Sequence, residues 1–339
     1  MVNVGIVSFG YYIPKRILTV EEIANRSKLS VHYLRETIGL EMVHICEKNE
    51  QPSDMAIKAA MSALKNSNLS SKDIDLIIFC YGGVKDYLFW SCSSKIKENI
   101  EASNAYCFDL DAACMGPLTG LEIAKNWLIS NKDYETALIV CADKWDDVID
   151  FKSKLTHSFA FFGDGASAIV IKKGYNKNLL CDSHFLTDSS YWDLVDIPAG
   201  GTVLPPSHKT INKKLHFEKV NIKFSKLMNV IRFKNIRVKK YVEVIENALK
   251  KNKINKKASK FLIKLQSRLD ETKEIIEKIN LTADNTYMTM KDYGHLGPSD
   301  IFFNLAKSVE QNKIHKKDIV ILASVGYGYS WGAMIVKWG

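Results

Sequence analysis

The feature that most limits the folds open to this 339-residue chain is a repeat within it. Asp111-Ala112-Ala113-Cys114-Met115-Gly116-Pro117 aligns without gaps to Asp292-Tyr293-Gly294-His295-Leu296-Gly297-Pro298, so that aspartate, glycine and proline coincide and Cys114 falls on His295. An apolar pattern at helical spacing follows each stretch and includes an Ala-Lys pair, Ala124-Lys125 and Ala306-Lys307. Next come Lys132-Asp133 before the strand 137–142, and Lys317-Asp318 before the strand 319–323. Glycine turns, Gly163-Asp164-Gly165 and Gly326-Tyr327-Gly328, then lead to a final apolar strand. A match of seven positions arises easily by chance; the same order of helix, strand and glycine turn does not. The chain therefore divides into halves, 1–173 and 174–339. Packing about a pseudo-two-fold axis would bring the equivalent helix starts, and with them Cys114 and His295, together.

Local patterns fit α/β layering. A strand from Val4 ends near Gly10, and Thr19 with Glu22 forms a capping box for a helix to Asn25. A longer helix is predicted from a Ser53 cap to Ser67, before a buried strand at 74–80. Ala105 to Phe108 reads as the strand that delivers Cys114 to the helix start at Gly116-Pro117, where the positive end of the helix dipole favours thiolate. Packing as a small hydrophobe is the equal alternative for a lone cysteine.

The composition, 46% hydrophobic and 25% charged, is that of a globular protein with a sizeable core. The first residues lack the pattern of a signal peptide and no apolar run is long enough to span a membrane, so the expectation is a cytoplasmic protein. Seven cysteines without CxxC pairs or His clusters at metal spacing suggest neither a disulfide framework nor a metal site. Net charge is +9, yet Lys209 to Lys260 alone holds 17 Lys or Arg against three Glu. That segment reads as a loop and surface helices; it could also steer an acidic protein or a phosphorylated cofactor. It lacks the interleaved aromatic residues of a nucleic-acid-stacking surface, and nucleic acid is not expected as a partner.

Taken together, the Gly10 to Pro14 start, Ala112-Ala113-Cys114, Phe162-Gly163-Asp164-Gly165-Ala166 and Gly326-Tyr327-Gly328-Tyr329-Ser330-Trp331-Gly332 resemble the thiolase-fold ketosynthase III family along nearly the whole chain. The resemblance implies a thiolase-like αβαβα five-layer fold from two pseudo-symmetric halves, usually a homodimer, with a cysteine that carries an acyl group as a thioester. It also implies oxyanion donors at the backbone N–H groups of Cys114 and Tyr327. Condensing members of the family use a Cys, His and Asn triad. Here Leu265-Gln266-Ser267-Arg268 puts leucine where the histidine is expected, and Gly294-His295 puts histidine where the asparagine is expected.

The residues that remain suit acyl transfer. His295 can serve as general base, and Asp300 can orient it, as in the Cys-His-Asp acyltransferase-type members of the family. A core histidine and a helix cap shared with Ser299 are the structural alternatives for these two. Tyr33 falls where the family stacks a tryptophan on coenzyme A, and Thr156 where it commonly carries an arginine. The expected activity is an acyltransferase that forms acyl-Cys114 from an acyl-CoA or acyl-phosphopantetheine thioester and passes the acyl group to a hydroxyl, amine or thiol. No cofactor is expected to be permanently bound. The setting would be specialised polyketide or fatty-acid-like metabolism, with acyl carrier protein docking on the basic segment Lys209 to Lys260. Two alternatives stand beside it: a decarboxylative 3-oxoacyl-ACP synthase III, and a non-catalytic ketosynthase-like partner subunit.

Overall fold

The structure is a computed structural model that describes residues 2–152, 159–221, 230–255 and 258–339. Its frame is a nine-stranded mixed sheet. The strands are β1 (Val4–Tyr12), β2 (Leu76–Tyr81), β3 (Tyr106–Asp111), β4 (Thr136–Asp143), β5 (Gly165–Lys173), β6 (Leu179–Thr187), β7 (Lys260–Lys264), β8 (Ile319–Gly326) and β9 (Ser330–Lys337). Their order is β7-β8-β9-β6-β1-β5-β4-β2-β3. The principal helices are α1 (Val20–Ser27), α2 (Pro52–Ser67), α3 (Cys92–Asn99), α4 (Gly116–Ser130), α5 (Val230–Lys251), α6 (Leu269–Lys278) and α7 (Asp300–Glu310).

The strand pairing runs twice through the same scheme. In the first part β2 pairs in parallel with β3 and β4, and β4, β5 and β1 follow antiparallel. In the second, β7 pairs in parallel with β8, and β8, β9 and β6 follow antiparallel. The counterpart of β3 is reduced to one parallel bridge, Leu262 with Thr286. A single register pair, Gly5 with Leu179, joins the two sets across β1 and β6. Helices α4 and α7 touch strands of both sets and form the middle layer, while α2 and α5 cover the outer faces. This is the thiolase-like α/β layering.

Strand alternation explains why β2, β4 and β8 read as continuous apolar runs. On β2, Ile77 and Phe79 face the core under α2, whereas Leu76, Ile78 and Cys80 face the core containing α4. A strand covered on both faces has no solvent side to mark with polar residues. On α4 the buried Leu118, Leu121, Ala124 and Leu128 lie at helical spacing, each leucine contributing roughly 1.5–3 kcal/mol by burial.

Three local readings change. Strand β1 runs through Gly10 to Tyr12 because Gly10 lies against α2, where an added Cβ would be 2.2 Å from the Ala63 nitrogen. Helix α2 is capped by Gln51 with Pro52 in its first turn; Ser53 lies inside it, its hydroxyl bonded to Asp86. Helix α5 is more than surface: Val238, Tyr241, Val244, Ile245 and Ala248 are buried, and the lysines occupy its other faces. The capping box of Thr19 and Glu22 is present on α1.

Candidate active site

Strand β3 ends at Asp111, and the chain turns through Ala112–Met115 before α4 begins. Ala113 takes φ +48°, the left-handed region, at a cost of roughly 1–2 kcal/mol for a residue with a Cβ. Two contacts from β8 hold this turn. The Ser324 hydroxyl donates to the Cys114 carbonyl at 2.6 Å. At Gly326 an added Cβ would lie 3.0 Å from both the Ala112 oxygen and the Met115 nitrogen, so the end of β8 lies directly against the turn. Tyr327 follows at once, in the loop between β8 and β9.

His295 comes from the equivalent place in the second part. Gly294 takes φ +67°, and an added Cβ there would sit 2.3 Å from the Phe161 oxygen. His295 N donates to the Phe161 carbonyl at 2.8 Å, Gly163 N donates to the His295 carbonyl at 2.9 Å, and the Phe162 ring meets the imidazole edge to face at 4.4 Å. The segment 161–163 therefore grips His295 from three sides. Its neighbour Asp164 accepts from the backbone of Cys46 and Trp145 and anchors the segment.

The structure brings Cys114, His295 and Asp300 into one line. Cys114 Sγ lies 3.8 Å from His295 Nε2, and His295 Nδ1 lies 2.5 Å from Asp300 Oδ2. Asp300 is fully buried at the first turn of α7, but its carboxylate turns back from the helix. Oδ2 also accepts from Gln266 N at 2.8 Å, and Oδ1 accepts from Leu296 N at 2.9 Å. A carboxylate on Nδ1 holds the proton there and leaves Nε2 with its lone pair towards sulfur.

The thiolate expected of Cys114 is not favoured. Burial pushes its thiol well above the ordinary value, and the charges of Asp143, Asp300 and Glu218 push it the same way, against Arg237. Cys114 sits in the turn before α4, and its burial there disfavours the charged form despite the nearby helix start. A thiol so raised needs a base to act as a nucleophile, and the nitrogen beside it is His295 Nε2.

Leu265, which the resemblance sets in the place of the histidine, is buried just beyond β7. Gln266 beside it accepts from Met290 N at 3.1 Å through Oε1. Tyr33 is partly buried, packed on the cluster that holds Trp145 and Phe159. Thr156 lies outside the described residues. Within the basic segment Lys234 pairs with Asp270 and Glu274, and Arg237 with Glu271, so part of its charge is answered internally. Among the described residues no group of three or more His, Cys, Asp or Glu could hold a metal ion, and no helix is long and apolar enough to cross a membrane.

Sequence reasoning missed several groups near Cys114. Glu218 is buried and accepts from the Tyr327 hydroxyl at 2.8 Å; burial pushes its carboxyl up to about 7. Asp143 is fully buried at the end of β4 and pushed up to about 8 by burial, although Gly82 N and Gly83 N donate to it. Phe233, Arg237 and Tyr241 recur every four residues on α5, a pattern visible in the sequence but hidden among lysines.

Two family descriptions match the chain: 3-oxoacyl-[acyl-carrier-protein] synthase III over residues 108–189, and the C-terminal part of the same synthase over residues 249–338. A beta-ketoacyl-[acyl-carrier-protein] synthase III of Syntrophomonas wolfei is 29% identical over 337 residues, covering 99% of this chain and 98% of that protein. The crystal structure of 3-oxoacyl-[acyl-carrier-protein] synthase III from Aquifex aeolicus has a TM-score of 0.83 at 23% identity, over 99% of this chain and 100% of that one. The priming beta-ketosynthase of the R1128 polyketide pathway has a TM-score of 0.85 at 18% identity, over 98% and 96%. The chain belongs to the 3-oxoacyl-[acyl-carrier-protein] synthase III family, the ketosynthase III enzymes.

Proposed function

We propose that the protein is an acyltransferase that works through an acyl-Cys114 thioester. The observation that carries this reading is the line Cys114, His295, Asp300. His295 Nε2 takes the thiol proton as sulfur attacks the donor's carbonyl carbon; a separation of 3.8 Å without substrate can tighten in the complex. Backbone N–H groups of Cys114 and Tyr327 receive the developing oxyanion. The donor's C–S bond then breaks, and its thiol leaves with the proton from the imidazolium. In the second half His295 takes a proton from a hydroxyl, amine or thiol, that atom attacks the thioester carbon, and Cys114 is released as thiolate to be reprotonated.

Acyl carrier protein stands in the names of the relatives and is the preferred donor, with acyl-CoA the alternative, Tyr33 contacting the latter. The basic segment Lys209 to Lys260 would receive the carrier's acidic surface. We take the two sets of strands as two halves, 1–173 and 174–339. A homodimer is supported by the open edge of the sheet, where β3 carries Tyr106 at 51% exposure, and by the exposed tip Tyr87-Leu88-Phe89. Fatty-acid-like or polyketide metabolism is the setting we favour.

Intact-mass analysis after incubation with a panel of acyl thioesters tests the reading. It expects an acyl adduct on the native protein and none on Cys114→Ala; an adduct that persists in the variant refutes it. Decarboxylative condensation is the second reading, favoured by the names of the relatives. Release of carbon dioxide from a malonyl thioester separates the two.

A further inference from the structure

The walls around Cys114 are unusually polar for a site that would hold a plain alkyl chain. Tyr327 leaves the end of β8 beside the nucleophile turn, and its hydroxyl reaches Glu218. The rings of Tyr327 and Tyr329 lie 6.2 Å apart, Tyr329 meets Phe233 edge to face at 5.4 Å, and Arg237 lies 5.9 Å from the Phe233 ring centre. Tyr241 follows one turn along α5. These groups form one continuous wall, and the charges of Glu218 and Arg237 both act on the Cys114 thiol.

Three polar atoms in this wall find no partner among the described residues: Glu218 Oε2, Arg237 Nε and Tyr241 Oη. Glu218 is 4% exposed and Tyr241 fully buried. Arg237 pairs through Nη2 with Glu271 at 3.1 Å, and 24% of its side-chain surface remains accessible. Leaving buried donors and acceptors unpaired is costly, and a substrate that pairs them recovers that cost.

We infer that the acyl group delivered to Cys114 carries an oxygen function, a hydroxyl or a carboxylate, beyond the thioester carbonyl, and that Glu218, Arg237 and Tyr241 bind it. The inference rests on the acyl-cysteine reading. Arg237 and Tyr241 supply donors, and the Glu218 carboxyl, pushed up to about 7, supplies either a donor or an acceptor. These are specificity residues; the proton transfers stay with His295.

The test compares hydroxyacyl, ω-carboxyacyl and plain alkyl thioesters of equal chain length, following acyl-Cys114 by intact mass. One or both oxygenated thioesters are expected to label at least about tenfold faster than the alkyl one. Glu218→Gln and Tyr241→Phe, both nearly isosteric, should each narrow that ratio about fivefold, and the arm that responds identifies hydroxyl or carboxylate. Equal or faster labelling by the alkyl thioester overturns the inference while leaving the acyl-cysteine reading intact. If no thioester labels Cys114, that reading fails, and thermal shift of Cys114→Ala with the same three compounds decides the inference alone. A larger rise in Tm with an oxygenated thioester supports it, and equal rises refute it.

Discussion

Asp300→Asn separates the chemistry of the site from its architecture. The carboxylate makes three buried contacts, to His295 Nδ1, Gln266 N and Leu296 N. An amide in its place must point its NH2 either at Leu296 N or at the pair formed by His295 and Gln266, so at least one backbone donor loses its acceptor. Losing a charge-assisted bond and leaving that donor unsatisfied should cost roughly 2–4 kcal/mol of stability. The kinetic effect is larger and has a different origin. With charge centres about 4 Å apart and an effective dielectric of about 20, Asp300 stabilises the imidazolium by about 4 kcal/mol, close to a thousandfold in rate. Quenched-flow acylation of Cys114, read by intact mass and run well below the melting temperature, measures this directly, while urea unfolding measures the stability term. Acylation within tenfold of the native rate, in a variant destabilised as expected, would refute a role for Asp300 in catalysis and leave it as a structural clasp.

Gly294→Ala should cost at least about 3 kcal/mol in urea unfolding, because a Cβ meets the Phe161 carbonyl at a left-handed φ; a loss below about 0.5 kcal/mol would contradict the grip on His295. Alkylation of Cys114 by iodoacetamide, followed by peptide mass, should keep accelerating from pH 7 to 9, since burial raises its thiol; a rate already level below pH 7 would show a preformed thiolate. Asp143 is held protonated in the native state up to about pH 8, whereas the unfolded chain releases that proton near pH 4. Native protein thus holds more protons across this window, and stability falls as pH rises through it. Asp143→Asn should flatten that slope, and melting curves from pH 5 to 8 that stay parallel for the two proteins would disprove the assignment.

The fold was legible because its repeat is written in order, and because strands covered on both faces, such as Ile77 to Cys80, read as unbroken apolar runs. The same repeat placed Cys114 opposite His295. Ends of elements were less legible: nothing local tells Ser53 that its hydroxyl is taken by Asp86, or Gly10 that α2 lies over it. The chemistry of Cys114 was misread for a related reason. Its helix start is visible in sequence, but the burial that raises its thiol, and the acidic groups Asp143, Asp300 and Glu218 beside it, come through tertiary structure alone. Helix α5 was hidden by composition, since its five lysines are interleaved with the five residues that face the core.

The bond from Ser324 to the Cys114 carbonyl spans 210 residues, and His295 lies 181 residues beyond Cys114. During synthesis the cysteine therefore leaves the ribosome long before anything that shelters or activates it. At 5–20 residues per second the interval to His295 is roughly 10–40 s. Through that time Cys114 is a thiol on an incomplete sheet, without the burial that the finished molecule gives it. The surroundings of Cys114 are therefore complete only once β8 and α7, made last, have closed over the turn.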